Sequence, residues 1–128
     1  MSTARQRVNA DLMRLRLLSE ELDALLERLA ESGAIGGVKL AGAARMAMLG
    51  VGLAAQKGDV VFGTRRDVAA ALSLGVPVDT VLCQAMGRDG DPALGRGMPG
   101  AIQSAEHGVV LGDGSVASHV MHAAGFGH

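Results

Sequence analysis

Residues 8–32 read VNADLMRLRLLSEELDALLERLAES, and this stretch indicates the fold class more clearly than any other. Its leucines recur at spacings of three and four, which places them on one face of an α-helix. Gly33 follows and accommodates the left-handed conformation that ends many helices. Because the repeat covers only about two heptads, it predicts a helix packed in a globular domain rather than a free-standing coiled coil.

The rest of the chain predicts further helices separated by glycine-rich segments. Residues 42–86 predict a helical core that begins with a helix rich in Ala, Met and Leu, with a short extended piece at 58–63. Residues 87–114 contain many glycines together with Pro92 and Pro99, and we expect a long irregular loop there. Helical spacing resumes over 115–125. We therefore expect residues 1–128 to form a single, mainly α domain with at most short strands.

The composition argues against several classes of function. Twelve basic and thirteen acidic residues nearly balance, and only Phe62 and Phe126 are available for base stacking, so nucleic-acid binding is not expected. Cys83 is the only cysteine, so no disulfide framework is expected. The apolar window 41–55 is too short to span a bilayer, and the first residues lack the apolar stretch of a secretory signal. We expect a cytoplasmic protein without a membrane segment.

Five segments between residues 57 and 125 carry a family likeness. They are 57–67 (KGDVVFGTRRD), 69–79 (AAALSLGVPVD), 86–100 (MGRDGDPALGRGMPG), 104–110 (SAEHGVV) and 122–125 (HAAG). Together they resemble the E1-alpha subunits of thiamin-diphosphate-dependent 2-oxo acid dehydrogenases, and the GRGMPG run is the most specific of them. The leucine-rich helix and residues 36–52 align more loosely.

The resemblance implies both a fold and a chemistry. The chain would correspond to the truncated N-terminal, mainly helical part of an α/β thiamin-diphosphate-binding fold. Enzymes of this family decarboxylate a 2-oxo acid on thiamin diphosphate and pass the acyl group to a lipoyl carrier, and their alpha subunits pair with beta subunits. The cofactor supplies the carbanion chemistry, while the protein positions it and holds its diphosphate through Mg²⁺.

The resemblance extends to individual positions. Arg66 matches the family's diphosphate-contacting arginine, and a guanidinium group suits phosphate oxygens. The other expected positions are changed: Arg65 replaces a tyrosine, Val68 and Ala101 replace histidines, and Lys39, Ala44 and Arg45 replace a histidine, a glutamine and a glutamate. The arginine at position 45 reverses a charge and removes a proton acceptor. We therefore expect no catalytic residue, a cofactor or anion contact at Arg66, and a secondary contact at Arg65.

Two patterns resemble metal sites. Gly112-Asp113-Gly114 is similar to the opening of the family's Mg²⁺ motif. When the chain is matched to the family without gaps, however, these residues correspond to a segment that comes before that motif. The second ligand of the motif would then lie beyond His128. A Gly-Asp-Gly turn is the expected structure. His119 and His122 are three residues apart, with His128 nearby, yet no obvious third ligand accompanies them. We expect no metal site in this chain.

Three functional hypotheses follow from the residues and the resemblance. The leading one is a non-catalytic E1-alpha-like protein that assembles with itself or with 2-oxo acid dehydrogenase subunits. The second is one part of a split enzyme, in which a partner chain completes the site for thiamin diphosphate and Mg²⁺. The third is a small helical module that binds an anion at Arg65 and Arg66. A core built without large aromatic side chains buries less area per residue, which also favours oligomerisation.

Overall fold

The computed structural model describes residues 3–38, 40, 42–112 and 117–127. Its helices are α1 (Ala4–Glu31), α2 (Arg45–Ala54), α3 (Val68–Ser73), α4 (Val78–Met86) and α5 (Ser118–Phe126), and a 3-10 turn, Gly42–Ala44, precedes α2. The strands are β1 (Val61–Thr64), β2 (Gln103–Ser104) and β3 (Val109–Gly112). The expected mainly helical fold with short strands is therefore confirmed.

Helix α1 begins at Ala4, earlier than the leucine spacing indicated, because a capping box supports its first turn. The Thr3 hydroxyl accepts a hydrogen bond from the backbone N–H of Gln6 at 3.3 Å, and the Gln6 side chain accepts one from the backbone N–H of Thr3 at 2.8 Å. The helix ends at Glu31, and Gly33 adopts a φ of 74° in the left-handed region, as expected.

Helices α2 and α3 approach each other closely at Gly52. A Cβ atom at this buried glycine would overlap the Ser73 side chain and lie 3.0 Å from the carbonyl oxygen of Ala70. Leu15 of α1 and Leu49 of α2 pack with Ala69 of α3 into a small apolar cluster beside this contact. The small residue at position 52 thus lets α2 and α3 pack closely.

The three strands form a sheet in the order β1-β3-β2. β1 and β3 are parallel, with Val61 opposite Val109 and Thr64 opposite Gly112. β2 is antiparallel to β3, with Ser104 opposite Val109. The carboxyl ends of the two parallel strands therefore lie side by side, which is where ligands bind in many α/β sheets.

The main hydrophobic core joins this sheet to α1, α3 and α4. Its buried members are Leu22, Leu26, Ile35, Val68, Ala71, Leu72, Val76, Val81, Ala85, Ile102, Val109 and Leu111. No aromatic side chain takes part in this cluster. The rings of Phe62 and Phe126 instead contact each other, with centroids 5.7 Å apart, and link α5 to β1.

The expectation of an irregular loop over residues 87–114 needs correcting in its second half. Turns do occupy residues 87–100, but β2 and β3 follow them. The apolar run of β3 is short and flanked by Gly108 and Gly112, so the sequence reads locally as a loop. Pairing with β1, which is distant in the chain, makes it a strand. Contacts of this kind leave no periodic signal in a four-residue segment.

Several expectations fall on residues outside the described ranges: Lys39, Asp113 and Gly114 of the predicted turn, positions 115–116 of the terminal helix, and His128. The terminal helix is described from Ser118 onward. None of the helices in the described ranges combines the length and the apolar character that crossing a bilayer requires.

We predict that Gly52→Ala lowers the free energy of unfolding by about 1–3 kcal/mol, because the added methyl group forces Ser73 and the α3 backbone to move. Urea unfolding measures the change. Gly125→Ala in α5 is the matched control, since a Cβ there meets nothing within 4 Å. Alanine favours a helix over glycine, so the control stays neutral or gains up to about 1 kcal/mol. Equal effects at the two positions would contradict the close approach of α2 and α3.

Candidate functional site

The site inferred from the sequence lies at the end of β1, in residues 64–67, which we call the arginine turn. Asp67 Oδ2 accepts hydrogen bonds from the backbone N–H of Thr64 at 2.7 Å and from the Thr64 hydroxyl at 3.1 Å. The Thr64 oxygen in turn accepts the backbone N–H of Arg66 at 3.3 Å. Gly63 precedes the turn, and a Cβ there would lie 2.8 Å from Asp67 Oδ2. Short-range hydrogen bonds therefore fix the backbone of the arginine turn.

The two arginines of the turn have different surroundings. Arg65 is half-buried, and its Nη1 lies 3.6 Å from the sulfur of Met98. Its backbone N–H donates to the carbonyl oxygen of Gly112 at 3.0 Å, which extends the pairing of β1 with β3. Arg66 is exposed. The structure thus brings Arg65 into contact with a neighbouring loop and leaves Arg66 as the member of the pair that is more open to a ligand.

Residues 98–100, which belong to the most family-specific run, are held by Gln84 of α4. Gln84 is 2% exposed, and its side-chain amide donates to the carbonyl oxygen of Met98 at 2.8 Å. Its side-chain oxygen accepts the backbone N–H of Gly100 at 2.9 Å. Gly100 has a φ of 90°, and a Cβ there would lie 2.5 Å from the carbonyl oxygen of Arg65. Gln84 therefore anchors this loop against the arginine turn.

Sequence reasoning missed the role of Gln84. The available signal was a polar residue one turn after Val81 and next to Ala85, on the buried face of α4. A buried glutamine needs partners for both its donor and its acceptor. The backbone of residues 98–100 supplies both partners, and this contact between distant segments could not be found from helical spacing alone.

Arg45, where the resemblance expects a glutamate, forms an ion pair with α1. Its Nη2 lies 2.5 Å from Asp23 Oδ2, and its Nη1 lies 3.4 Å from Glu20 Oε1. The side chains of Arg45 and Asp23 are only 18% and 11% exposed, so their attraction is less screened than that of a surface pair. Arg45 Nε is buried without a hydrogen-bond partner in the described part of the chain.

Glu20 takes part in a second ion pair on the same face of α1. Arg16 donates from its Nε to Glu20 Oε1 at 2.9 Å. This hydrogen bond, together with the charges of Arg16 and Arg45, holds the pKa of Glu20 below its ordinary value of 4.5 against the opposing effect of burial. The ionised form of Glu20 is therefore favoured, and it adds to the negative charge beside Arg45.

Three other changed positions have no polar role in the structure. Val68 is 7% exposed and belongs to the main core. Ala101 is 5% exposed and lies in the chain segment that precedes β2. Ala44 is exposed in the 3-10 turn. A histidine at position 68 or 101 would need a hydrogen-bond partner in these buried surroundings. Valine and alanine instead fill the space with apolar atoms.

His119 and His122 line a cavity of about 140 Å³ at the carboxyl ends of β1 and β3, together with Thr64 and Ser118. His119 Nδ1 is buried and has no hydrogen-bond partner among the described residues. Within the described ranges there is no group of three or more His, Cys, Asp or Glu side chains that could hold a metal ion. The third histidine of the sequence hypothesis, His128, lies outside those ranges.

A larger cavity, of about 380 Å³, does not coincide with the arginine turn. It lies between the end of α2, the end of α3 and the turn before β3, and its ionisable lining residues are Lys57, Asp59, Glu106 and His107. The His107 ring is tied to the Ser104 hydroxyl through Nδ1 at 2.8 Å. Because acidic and basic groups are mixed, the lining favours neither an anion nor a cation.

We predict that Gln84→Met destabilises the protein by about 2–3 kcal/mol, because two buried backbone groups lose their partners. Hydrogen exchange should also become faster at Gly100, whose N–H donates to Gln84. The matched control is Gln103→Met, at an exposed position of β2, with an effect within about 0.5 kcal/mol. Unchanged exchange at Gly100 would show that Gln84 does not anchor the loop.

Comparison with known protein families matches residues 10–128 to the family described as "Dehydrogenase E1 component". A search of curated proteins found no match. The matched range contains Arg45, the arginine turn and the loop held by Gln84. Members of this family depend in general on thiamin diphosphate and act in oligomeric 2-oxo acid dehydrogenase complexes. Since the match extends over most of the chain, the protein belongs to the Dehydrogenase E1 component family.

Proposed function

We propose that this chain does not decarboxylate 2-oxo acids by itself and acts instead as an assembly subunit that binds a protein partner. The ion pair of Arg45 carries the proposal. Where the resemblance expects a carboxylate, the chain has a guanidinium whose two terminal nitrogens face Asp23 and Glu20. A guanidinium stays protonated and has no acceptor atom, so this position does not serve as a general base.

The buried alanine and valine near the arginine turn support the same proposal. The resemblance expects histidines at positions 68 and 101, and both positions are now apolar and buried. A histidine at position 68 or 101 would place a polar ring in an apolar environment. Without a hydrogen-bond partner, its burial would lower the stability of the fold by about 1–3 kcal/mol. Valine at position 68 and alanine at position 101 therefore suit buried apolar surroundings, where the resemblance expects polar histidines.

Thiamin diphosphate, the cofactor that the family implies, does not fit the described residues as a reacting group. Arg66 is exposed and offers a planar donor pair that suits a diphosphate oxygen. The described residues provide no proton acceptor at position 45 and no histidine at 68 or 101. They can thus contact an anion but lack the acid–base groups that the resemblance calls for, and we assign no reaction step to them.

Apolar side chains on the surface support a role in assembly. The exposed large hydrophobic residues among the described ranges are Val8, Met13, Leu17, Met46, Val51, Met86, Leu94, Met98, Val120, Met121 and Phe126. Single exposed apolar residues are normal on a protein surface, but contiguous groups of them mark interaction sites. Met13 and Leu17 are one turn apart on α1, and Val120 and Met121 are adjacent on α5. Such neighbouring pairs are the places where a partner would find apolar contact.

The direct test uses the purified chain with thiamin diphosphate and Mg²⁺. We expect no 2-oxo acid-dependent reduction of ferricyanide with pyruvate or branched-chain substrates. This expectation follows from the absence of a proton acceptor at position 45. Cofactor binding together with turnover by the purified chain would overturn the proposal.

Two other results would favour the alternatives. Activity that appears only after a second chain is added would indicate a split enzyme completed by its partner. The exposure of Arg66 favours the anion-binding module. Saturable binding of pyrophosphate that is lost in Arg66→Ala, and retained in the matched surface variant Arg88→Ala, would support that function.

A further inference from the structure

We infer that the cavity beneath α5 binds a small, uncharged, mainly apolar molecule that carries one hydroxyl group and is about the size of phenol. The cavity has a volume of about 140 Å³, and its lining comes from α5 and from the strands of the sheet. The inference goes beyond the proposed assembly function and does not depend on it.

One face of β1 and β3 forms the floor of the cavity. Phe62 lies opposite Val110, and Thr64 lies opposite Gly112. Because successive residues of a strand point to opposite faces of a sheet, these four positions share one face. The residues of β3 that alternate with them are buried in the main core on the other face. Gly112 has no side chain, which leaves space above this end of the sheet.

One face of α5 forms the roof of the cavity. Ser118, His119 and His122 line it, and their spacings of three and four place them on the same side of the helix. Phe126, four residues after His122, contacts the ring of Phe62, with centroids 5.7 Å apart. This contact between the rings holds α5 over the sheet, and the cavity is the space that remains between the two layers.

The volume of the cavity sets the size of its ligand. A cavity of about 150 Å³ with an apolar lining holds one benzene molecule, so about 140 Å³ suits a single ring of that size. Phe62 and Val110 supply apolar atoms to the lining, and a ring packed against them is removed from water. Thiamin diphosphate, with two rings and a diphosphate group, is too large for this space.

The lining favours an uncharged ligand. Among the described residues that line the cavity there is no lysine, arginine, aspartate or glutamate. Moving an ion into mainly apolar surroundings without a counter-charge is costly. The cavity therefore differs in chemistry from the exposed Arg66, which suits an anion.

The ring of His119 explains why the ligand carries a hydroxyl group. His119 Nδ1 is buried and has no hydrogen-bond partner among the described residues. A buried polar atom without a partner is destabilising, so such an atom on a cavity wall points to a ligand group that pairs with it. A hydroxyl group both donates and accepts, and it satisfies Nδ1 in either tautomer of the neutral ring. The Thr64 hydroxyl, in contrast, already donates to Asp67 and accepts from Arg66.

The experiment titrates phenol and benzene separately into the full chain and follows the backbone amide signals by NMR spectroscopy. We expect saturable shifts at Phe62, Val110 and His119, with a dissociation constant for phenol on the order of 1 mM or lower. His119→Leu removes Nδ1 and keeps a side chain of similar size that favours a helix. In this variant the ratio of phenol affinity to benzene affinity should fall by about tenfold, because the hydrogen bond is lost.

Two further variants show whether the effect comes from the ring nitrogen. His119→Asn places an amide atom near the position of Nδ1, so it should keep most of the preference for phenol over benzene. Met121→Leu is the matched control, because Met121 lies on the same helix, is 76% exposed and does not line the cavity. It should bind both probes as the wild type does.

Three results would overturn the inference. If neither probe binds saturably, the cavity is no ligand site. If His119→Leu keeps the wild-type ratio of affinities, Nδ1 does not pair with the hydroxyl group. If thiamin diphosphate displaces phenol, the cavity belongs to the cofactor site of the family.

Discussion

The ion pair between Arg45 and Asp23 is the constraint on which the arrangement of the first two helices depends. Every other residue of α2 is apolar or glycine, so the inner face of this helix has no polar feature that would set its rotation about its own axis. With Nη2 of Arg45 held 2.5 Å from Asp23 Oδ2, the start of α2 is fixed against the middle of α1. That rotation directs Leu49 and Gly52 inward, where Gly52 meets Ser73, and it directs Gly50 outward. The core contact with α3 follows from it.

The same ion pair links the fold to the function. Bringing a guanidinium and a carboxylate out of water costs several kcal/mol per ion, and the cost is recovered only when the partners are well placed. Asp23 and Glu20 supply two such partners to Arg45, and Arg16 supplies one to Glu20. A glutamate at position 45, as the family resemblance expects, would bring three carboxylates together on this face of α1. The acidic residues of α1 and the arginine of α2 therefore form a matched set, which favours a structural role for position 45 over an acid–base role.

The sequence indicated some parts of this account and could not indicate others, for physical reasons. Leucine spacing predicted α1, because helical periodicity is a local property, but the capping box of Thr3 and Gln6 extended the helix beyond it. The sequence shows that Arg65 and Arg66 are neighbours. It could not show that their side chains have different surroundings, because Arg65 contacts Met98, which is distant in the chain. The family resemblance located the changed positions. The partners of Arg45, the partners of Gln84 and the pairing of β3 with β1 are contacts between distant segments, and no local pattern encodes them.

The central claim is that Arg45 is a structural residue, and a double-mutant cycle with Asp23 tests it most directly. The variants are Arg45→Met, Asp23→Leu and the two combined, with stability measured by urea unfolding. If the ion pair holds α2 against α1, each single variant loses about 2 kcal/mol, because Asp23 loses its cation in one variant and Arg45 loses its nearer carboxylate in the other. The double variant should then lose about 1–2.5 kcal/mol rather than the sum of about 4 kcal/mol, which corresponds to a coupling energy of about 1.5–3 kcal/mol. A coupling energy within about 0.3–0.5 kcal/mol of zero would contradict the account, since Arg45 would then act independently of α1.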